Sequence, residues 1–131
     1  MKELKIGQTA TREAVVSKDM LAVSVGSGSV EVLATPMVAA LLEGAAADLV
    51  QAGLEEPYTT VGSSITVEHL CPTAEGVSVR AVATLTGMEG RSYEFTLEAF
   101  DNAGLVAKGT HTRVSVKRES FARKAAERKT Q

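Results

Sequence analysis

The sequence predicts an α+β protein in which one long helix precedes an antiparallel sheet. Two observations indicate this fold class: a run of strong helix formers at residues 36–50, and four later segments in which apolar and polar residues alternate. The chain of 131 residues has the length of about one domain, so we expect residues 1–131 to fold as one unit. Its content of 44% hydrophobic and 23% charged residues is ordinary for a globular protein and argues against disorder.

The chain before the long helix is predicted to hold two short strands, at residues 9–16 and 30–33. Between them, the Gly-Ser-Gly-Ser run at residues 26–29 predicts a mobile loop, since both residue types favour turns. At the helix start, Thr35 is predicted as the N-cap and Pro36 as the first helical residue, because proline lacks the N–H that this position leaves unpaired.

The helix itself is predicted to end near Gly53, a plausible C-cap. Because residues 37–50 are apolar on nearly every side, we expect the helix to be buried rather than to lie on the surface.

The four alternating segments are predicted as strands at residues 59–70, 76–88, 91–101 and 105–117. The turns between them are short, which implies antiparallel neighbours. The simplest packing lays a sheet of about five strands around the helix, and this arrangement is the hot-dog fold. Residues 119–129 predict an exposed helix at the end of the chain.

The net charge of −2 hides an uneven distribution. Residues 117–131, the basic tail, carry six basic and two acidic side chains, a net charge of +4, which leaves −6 on residues 1–116. The basic tail is predicted to be solvated; the alternatives are attraction of ligand phosphates or of nucleic acid. An aromatic content of 4% without tryptophan argues against nucleic-acid binding by base stacking.

The sequence also limits location and cofactors. The longest apolar stretch, residues 36–42, is too short for a membrane span, and residues 1–10 lack the apolar segment of a secretory signal, so we expect a cytoplasmic protein without membrane contact. Cys71 is the only cysteine, which makes a zinc cluster improbable, and we expect no metal. Its position before Pro72 predicts a small apolar side chain rather than a nucleophile.

Glu43 is the most informative residue for function. It is the only charge between Glu31 and Asp48, and alanines lie three and four residues away on either side, so a small-residue face surrounds a carboxylate that is predicted to be buried. Burial drives a carboxylate towards its neutral form, which suits a general base. The alternative is a glutamate that only pairs with a buried arginine, such as Arg113, or reaches water.

Thr35 has two interpretations. As a plain N-cap it only stabilises the helix, which the local sequence favours. Alternatively, the unpaired N–H groups of the helix start hold a developing oxyanion while the hydroxyl attacks a carbonyl or orients a water. Thr35 and Glu43 are eight residues apart, so they lie on similar faces, within about 12 Å along the axis.

His69 ends an alternating set, residues 63–69, that is predicted to face inward. A lone histidine on such a face is commonly a satisfied core residue, but together with Glu43 it is a candidate for polarising a carbonyl or relaying a proton. His111 alternates with Arg113 on one face of the last strand, and nothing near it in the sequence completes a metal site.

Three parts of the chain carry a resemblance. They are Leu33-Ala34-Thr35-Pro36-Met37 followed by Leu42-Glu43, then Val61-Gly62-Ser63 followed by Val67-Glu68-His69-Leu70, and finally Gly109-Thr110-His111-Thr112-Arg113. In these stretches the sequence resembles the fluoroacetyl-CoA thioesterase-like family of hot-dog proteins. The similarity runs from about residue 5 to residue 125, and its specific part is the Thr–Glu–His spacing.

The resemblance implies an acyl-CoA thioesterase that acts as a homodimer, with coenzyme A as part of the substrate and no other cofactor. By position, Thr35, Glu43 and His69 match the family's catalytic threonine, glutamate and histidine. Gly62 and Arg113 match positions associated with substrate binding. Whether Thr35 attacks the thioester or only orients water is left open.

One segment departs from the family's pattern. The fluoroacetyl-specific enzyme carries aromatic residues in a lid before the helix, whereas residues 26–29 contain none. We therefore expect a different acyl group and a looser lid.

Other functions on the same fold remain alternatives. One is a non-catalytic module that binds an acyl-CoA or carrier thioester in the same pocket while Glu43 is paired and inert; another is a hydratase. A homodimer is also expected on physical grounds, because a sheet of about five strands leaves an exposed edge, and pairing of edges is a common remedy.

Overall fold

The computed structural model describes residues 3–130, which form a five-stranded antiparallel sheet and its helices. In chain order the elements are β1 (Thr9–Val15), α1 (Ala22–Val25), α2 (Thr35–Gln51), β2 (Tyr58–His69), β3 (Ser78–Glu89), β4 (Ser92–Asp101), β5 (Gly104–Lys117) and α3 (Arg118–Glu127). Short 3₁₀ turns at Lys18–Met20 and Arg128–Thr130 precede α1 and follow α3.

The strand order is β1-β3-β4-β5-β2, and every neighbouring pair is antiparallel. α2 lies across one face of the sheet and contacts all five strands. This confirms the predicted α+β hot-dog fold. All five strands of the sheet lie at predicted positions, with small shifts at their ends.

The core lies between α2 and the inner face of the sheet. Alternate residues of β3 are fully buried there, namely Val79, Ala81, Ala83 and Leu85. Phe95 and Leu97 of β4 extend this layer, and Val38 and Leu42 of α2 pack against it. Burial of each large apolar side chain contributes about 1.5–3 kcal/mol, so this layer fixes how α2 is rotated on the sheet.

The sequence predicts that α2 is buried on every side, but the structure buries only one side of it. Val38, Leu42 and Ala45 face the core, whereas Ala40 is exposed and Glu43 is half-exposed. Within residues 3–130 the sheet covers one side of the helix and leaves the other side open. Apolar composition alone does not reveal which side has a neighbour.

The capping of α2 also differs from the prediction. Ala34 occupies the N-cap position and Thr35 is the first helical residue, while Ala52 rather than Gly53 is the C-cap. The Thr35 hydroxyl is engaged by His69 instead of by the helix backbone, which is why it does not serve as a cap.

The segment before α2 is less regular than predicted. Residues 30–33 form no strand, and a single bridge joins Leu33 to Leu21. The one-turn helix α1 was not predicted, because four residues give too weak a periodic signal. At the other end of the chain, α3 confirms the predicted exposed helix, since none of its side chains is buried.

No helix in the described part of the chain combines the length and apolar character that a membrane crossing would require.

Replacement of Leu42 by alanine tests the core. Leu42 is fully buried between α2 and the sheet, so Leu42→Ala should lower the free energy of unfolding by about 2–5 kcal/mol, through lost burial and the cavity left behind. Urea denaturation followed by circular dichroism measures this change. Leu105→Ala is the matched control, because Leu105 is exposed, and its effect should stay below about 1 kcal/mol. Equal effects of the two substitutions would contradict the assigned core.

Candidate active site

The start of α2 and the end of β2 bring two predicted site residues together. Thr35 opens α2 and His69 closes β2, and the Thr35 Oγ1 lies 2.7 Å from the His69 Nδ1. This is hydrogen-bond distance between residues 34 positions apart in the sequence. A hydroxyl so placed is paired with the group that can take its proton.

The environment of His69 favours its neutral form. Burial lowers the pKa of His69, and the nearby backbone of Cys71 opposes part of this effect. A neutral imidazole carries one N–H and one lone pair. With the lone pair on Nδ1, His69 accepts the Thr35 proton, and its Nε2–H then points into the protein. This Nε2 is buried without a hydrogen-bond partner among the described residues.

A cavity of about 440 Å³ opens beside the Thr35–His69 pair. The loop before α2 contributes Ser27 to its wall, and the turn after β2 contributes Cys71. Cys71 is a free, exposed thiol at this turn. No Phe, Tyr or Trp lines this cavity in the described part of the chain.

The expected oxyanion donors at the helix start are partly used. The Met37 and Val38 N–H groups donate to the Ala34 carbonyl, at 3.0 and 3.1 Å. They are therefore not the open donors that the helix-start argument assumes. The Thr35–His69 contact remains the chemically distinctive feature of this end of α2.

Glu43 lies in a second cluster, halfway along α2. Its Oε2 is 4.0 Å from the His111 Nε2 and 4.0 Å from the Arg113 Nη1. The side chain is 42% exposed, so the prediction of a buried carboxylate is wrong. The cause is the rotation of α2, which turns Leu42 into the core and leaves Glu43 on the open side beside β2.

Arg113 is held by other groups and does not clasp Glu43. Its Nε donates to the Thr60 Oγ1 at 2.8 Å, its Nη2 to the Thr60 carbonyl at 3.0 Å, and its Nη1 to the His111 Nε2 at 3.1 Å. A separation of 4.0 Å from Glu43 is too long for a hydrogen bond. The alternative interpretation was that Glu43 only pairs with Arg113. The two side chains are indeed neighbours, but no hydrogen bond joins them.

Gly62 leaves the space in which this second cluster meets. A Cβ atom there would lie 2.6 Å from the Glu43 Oε2 and 3.1 Å from the His111 Cε1, so a larger residue would displace the carboxylate. The pairing of β2 with β5 shifts between Gly62 and Ser64, and this bulge accompanies the close approach. The resemblance links Gly62 to substrate binding, and the geometry shows that a side chain at this position would push against the Glu43 carboxylate.

The predicted site residues therefore form two separate groups along β2. Thr35 and His69 meet at the end of the strand, and Glu43, Gly62 and Arg113 meet near its middle. Eight residues of α2 separate Thr35 from Glu43, about 12 Å along the helix axis. A single water molecule does not touch both groups within one chain.

His111 joins the second group although the sequence analysis gave it no role. It is 2% exposed, accepts a hydrogen bond from Arg113 and lies 4.0 Å from Glu43. The signal that could have found it is its two-residue spacing from Arg113 on β5, which puts both side chains on the inner face. No group of three or more His, Cys, Asp or Glu side chains with metal-binding geometry occurs within residues 3–130.

Solved thioesterase structures share this architecture. The chain superimposes on the fluoroacetyl-CoA thioesterase FlK with a TM-score of 0.91 and 26% identity, covering 96% of this chain and 98% of that one. A thioesterase superfamily member from Thermus thermophilus gives a TM-score of 0.88 and 27% identity, covering 98% and 97% of the two chains. The fold and the paired Thr35 and His69 thus define a hot-dog protein of the thioesterase class.

The sequence comparison narrows this class. Residues 16–119 match the family described as FlK, fluoroacetyl-CoA-specific thioesterase. The fluoroacetyl-CoA thioesterase of Streptantibioticus cattleyicolor is 32% identical over 91 residues, which cover 70% of this chain and 66% of that protein, just under two thirds of its length. The protein belongs to the FlK family of thioester hydrolases.

The two histidines predict how stability depends on pH. Burial lowers the pKa of both His69 and His111 on folding. The unfolded chain therefore binds more protons as the pH falls below about 6.5, and the free energy of unfolding should fall by up to about 1.4 kcal/mol per pH unit for each histidine. Urea denaturation at pH 7.5, 6.5 and 5.5 measures this slope.

Glutamine variants provide the control for the pH effect. His69→Gln and His111→Gln should each reduce the slope between pH 6.5 and 5.5, because glutamine does not titrate. An unchanged slope in both variants would show that neither ring resists protonation in the folded protein.

Proposed function

We propose that this protein hydrolyses a short or small acyl-CoA thioester to the free acid and coenzyme A. The observation that carries the proposal is the 2.7 Å contact between Thr35 and His69 beside a cavity of about 440 Å³. Membership of the FlK family supports thioester hydrolysis as the reaction. Coenzyme A enters as part of the substrate, and the proposal needs no metal or other cofactor.

The Thr35–His69 pair supports two routes to the products. In the first, the Thr35 hydroxyl attacks the carbonyl carbon while His69 takes its proton; the C–S bond breaks, the thiolate of coenzyme A takes a proton, and water then cleaves the ester on Thr35. In the second, the pair orients a water that attacks directly. In both routes one water is consumed, and one acid and one thiol are formed.

The acyl group is proposed to differ from fluoroacetyl. Similar solved structures are described as fluoroacetyl-CoA thioesterases, including complexes with fluoroacetate and with acetyl-CoA. Here the cavity lacks Phe, Tyr and Trp among its described lining residues, and Ser27 stands in the loop that borders it. A wall whose described side chains are small aliphatic and polar ones puts no Phe, Tyr or Trp ring near the acyl group, so we expect no selection for fluorine.

We also propose that the protein acts as a homodimer paired through β2. This strand bonds β5 on one side, and no described strand bonds its other side. Antiparallel pairing of the two copies of β2 would bring the His69 end of one strand towards the middle of the other, where Gly62 lies. The Thr35–His69 pair would then face the partner's Glu43. The partner would thus supply the carboxylate, because Glu43 of the same chain lies about 12 Å along α2 from Thr35.

The proposal includes a cytoplasmic location. An exposed free thiol at Cys71 suits a reducing compartment.

A non-catalytic thioester-binding module is the second candidate. The position of Arg113, 4.0 Å from Glu43, favours it, because a guanidinium that moved into contact would occupy the carboxylate. The two candidates differ in whether the protein accelerates release of coenzyme A.

Release of coenzyme A tests the proposal directly. Wild-type protein should hydrolyse short acyl-CoA thioesters, whereas His69→Ala and Glu43→Gln should each lower kcat by about 10² or more, because a general acid–base group contributes that much. The measurement is the appearance of free thiol with a colorimetric reagent. The exposed Cys71 contributes a constant signal, which a protein-only blank removes.

The matched control for this assay is Asp19→Asn, an exposed carboxylate near α1 that should keep wild-type kcat. Binding of coenzyme A thioesters without faster thiol release would favour the binding module instead.

Mixing two inactive variants tests the shared site. In a heterodimer of Thr35→Ala and Glu43→Gln chains, one of the two sites combines the intact threonine of one copy with the intact glutamate of the other. Since half of randomly mixed dimers are heterodimers, about a quarter of wild-type activity should return. No recovery after unfolding and refolding the two variants together would contradict a site built across two chains.

A further inference from the structure

His111 is a buried titratable residue to which the proposed mechanism gives no task. It is 2% exposed, and both of its ring nitrogens have protein partners. We propose that His111 is a positioning residue that holds the Arg113 guanidinium off Glu43 and so keeps the carboxylate available as a base. This inference rests on the proposed function and adds a specific role within it.

The hydrogen bonds of His111 fix its tautomer. Its Nδ1 lies 2.7 Å from the Ser64 carbonyl, which can only accept, so the proton sits on Nδ1. The lone pair of the neutral ring is then on Nε2. Arg113 donates to this Nε2 from its Nη1 at 3.1 Å. The Ser64 carbonyl thus sets the orientation of the His111 ring, and the ring in turn sets the position of the Arg113 guanidinium.

Four elements surround the ring and keep it neutral. The Ser64 carbonyl faces it from β2, the Phe95 ring from β4 at 5.9 Å between centroids, Arg113 from β5 and Glu43 from α2. Burial lowers the pKa of His111, and the Arg113 charge acts in the same direction, while Ser64 and Glu43 oppose them. A neutral ring keeps its Nε2 lone pair, so it remains an acceptor for Arg113 at neutral pH.

Without this acceptor, Glu43 becomes the next partner for Arg113. The Nη1 is already 4.0 Å from the Glu43 Oε2, and a shift of about 1 Å would form a charge-assisted hydrogen bond. Thr60 holds the Nε and Nη2 atoms but not Nη1, so Nη1 depends on His111. A carboxylate bound to a guanidinium is stabilised in its charged form and accepts protons less readily.

Two substitutions at position 111 separate this role from simple packing. His111→Phe keeps a ring beside Phe95 but removes the acceptor, so kcat should fall by about tenfold or more. Glutamine offers an N–H donor and an oxygen acceptor on one planar group, so His111→Gln should keep kcat within about threefold of wild type. The control is Lys108→Ala on the exposed face of β5, which should leave kcat unchanged.

The Arg113 background tests whether His111 acts through the guanidinium. In Arg113→Met protein no cation remains to clasp Glu43, so adding His111→Phe should change kcat by less than about twofold. A purely structural role predicts instead that the two losses multiply. Circular dichroism and thermal unfolding identify any variant that has lost its fold.

A measurement on the wild-type protein keeps the inference testable if His111→Phe does not fold. Nitrogen-15 NMR of the imidazole rings should show His111 neutral and protonated on Nδ1 at pH 7.5. An Nε2-protonated or cationic His111 would overturn the inference, as would full kcat in His111→Phe or multiplying losses in the double variant. Absence of thiol release by the wild type would instead overturn the proposed function.

Discussion

The packing of α2 on the sheet is the constraint on which the candidate site depends. Val38 and Leu42 enter the layer formed by β3 and β4, and this contact sets the rotation of the helix. Successive helical residues are about 100° apart, so burying Leu42 turns Glu43 towards the open side next to β2. The same rotation leaves Thr35, two turns earlier, over the end of β2 at His69. The packing of the apolar face of α2 therefore determines where Thr35 and Glu43, which lie outside that face, are placed.

A buried guanidinium imposes the second constraint. Arg113 is 7% exposed, and a charge in that position needs several hydrogen bonds to replace water. Thr60 and His111 supply three of them, and Glu43 balances the charge from 4.0 Å without contact. Gly62 gives the group its space, because any side chain there would meet the carboxylate. Glu43 can therefore balance the Arg113 charge without a hydrogen bond to it only while Thr60 and His111 hold the guanidinium in place.

The sequence predicts much of the fold because the decisive signals are local. The alternation of apolar and polar residues along β3 predicts a strand, and the proline near the start of α2 predicts a helix start. In both cases the signal lies within the element itself. Contacts between residues far apart in the sequence leave no such local signal. The prediction that Thr35 caps α2 is wrong because His69, 34 residues away, engages the Thr35 hydroxyl. Glu43 was expected to be buried because its helical neighbours are apolar, yet exposure depends on which side the sheet covers. The role of His111 was missed for the same reason, since all its partners except Arg113 lie on other elements, β2, β4 and α2.

The uncovered surface and the divided site have a common cause. Five strands cover one side of α2, and the described residues of the chain leave Ala40 exposed and Ala47 half-exposed on the other side. These small side chains permit close approach of another backbone, and β2 has no described strand on the side away from β5. One group of site residues lies at the end of β2 and the other near its middle. In the proposed homodimer, a second copy related by a twofold axis would pair the free edge of β2 and bring the two groups together through one symmetric contact.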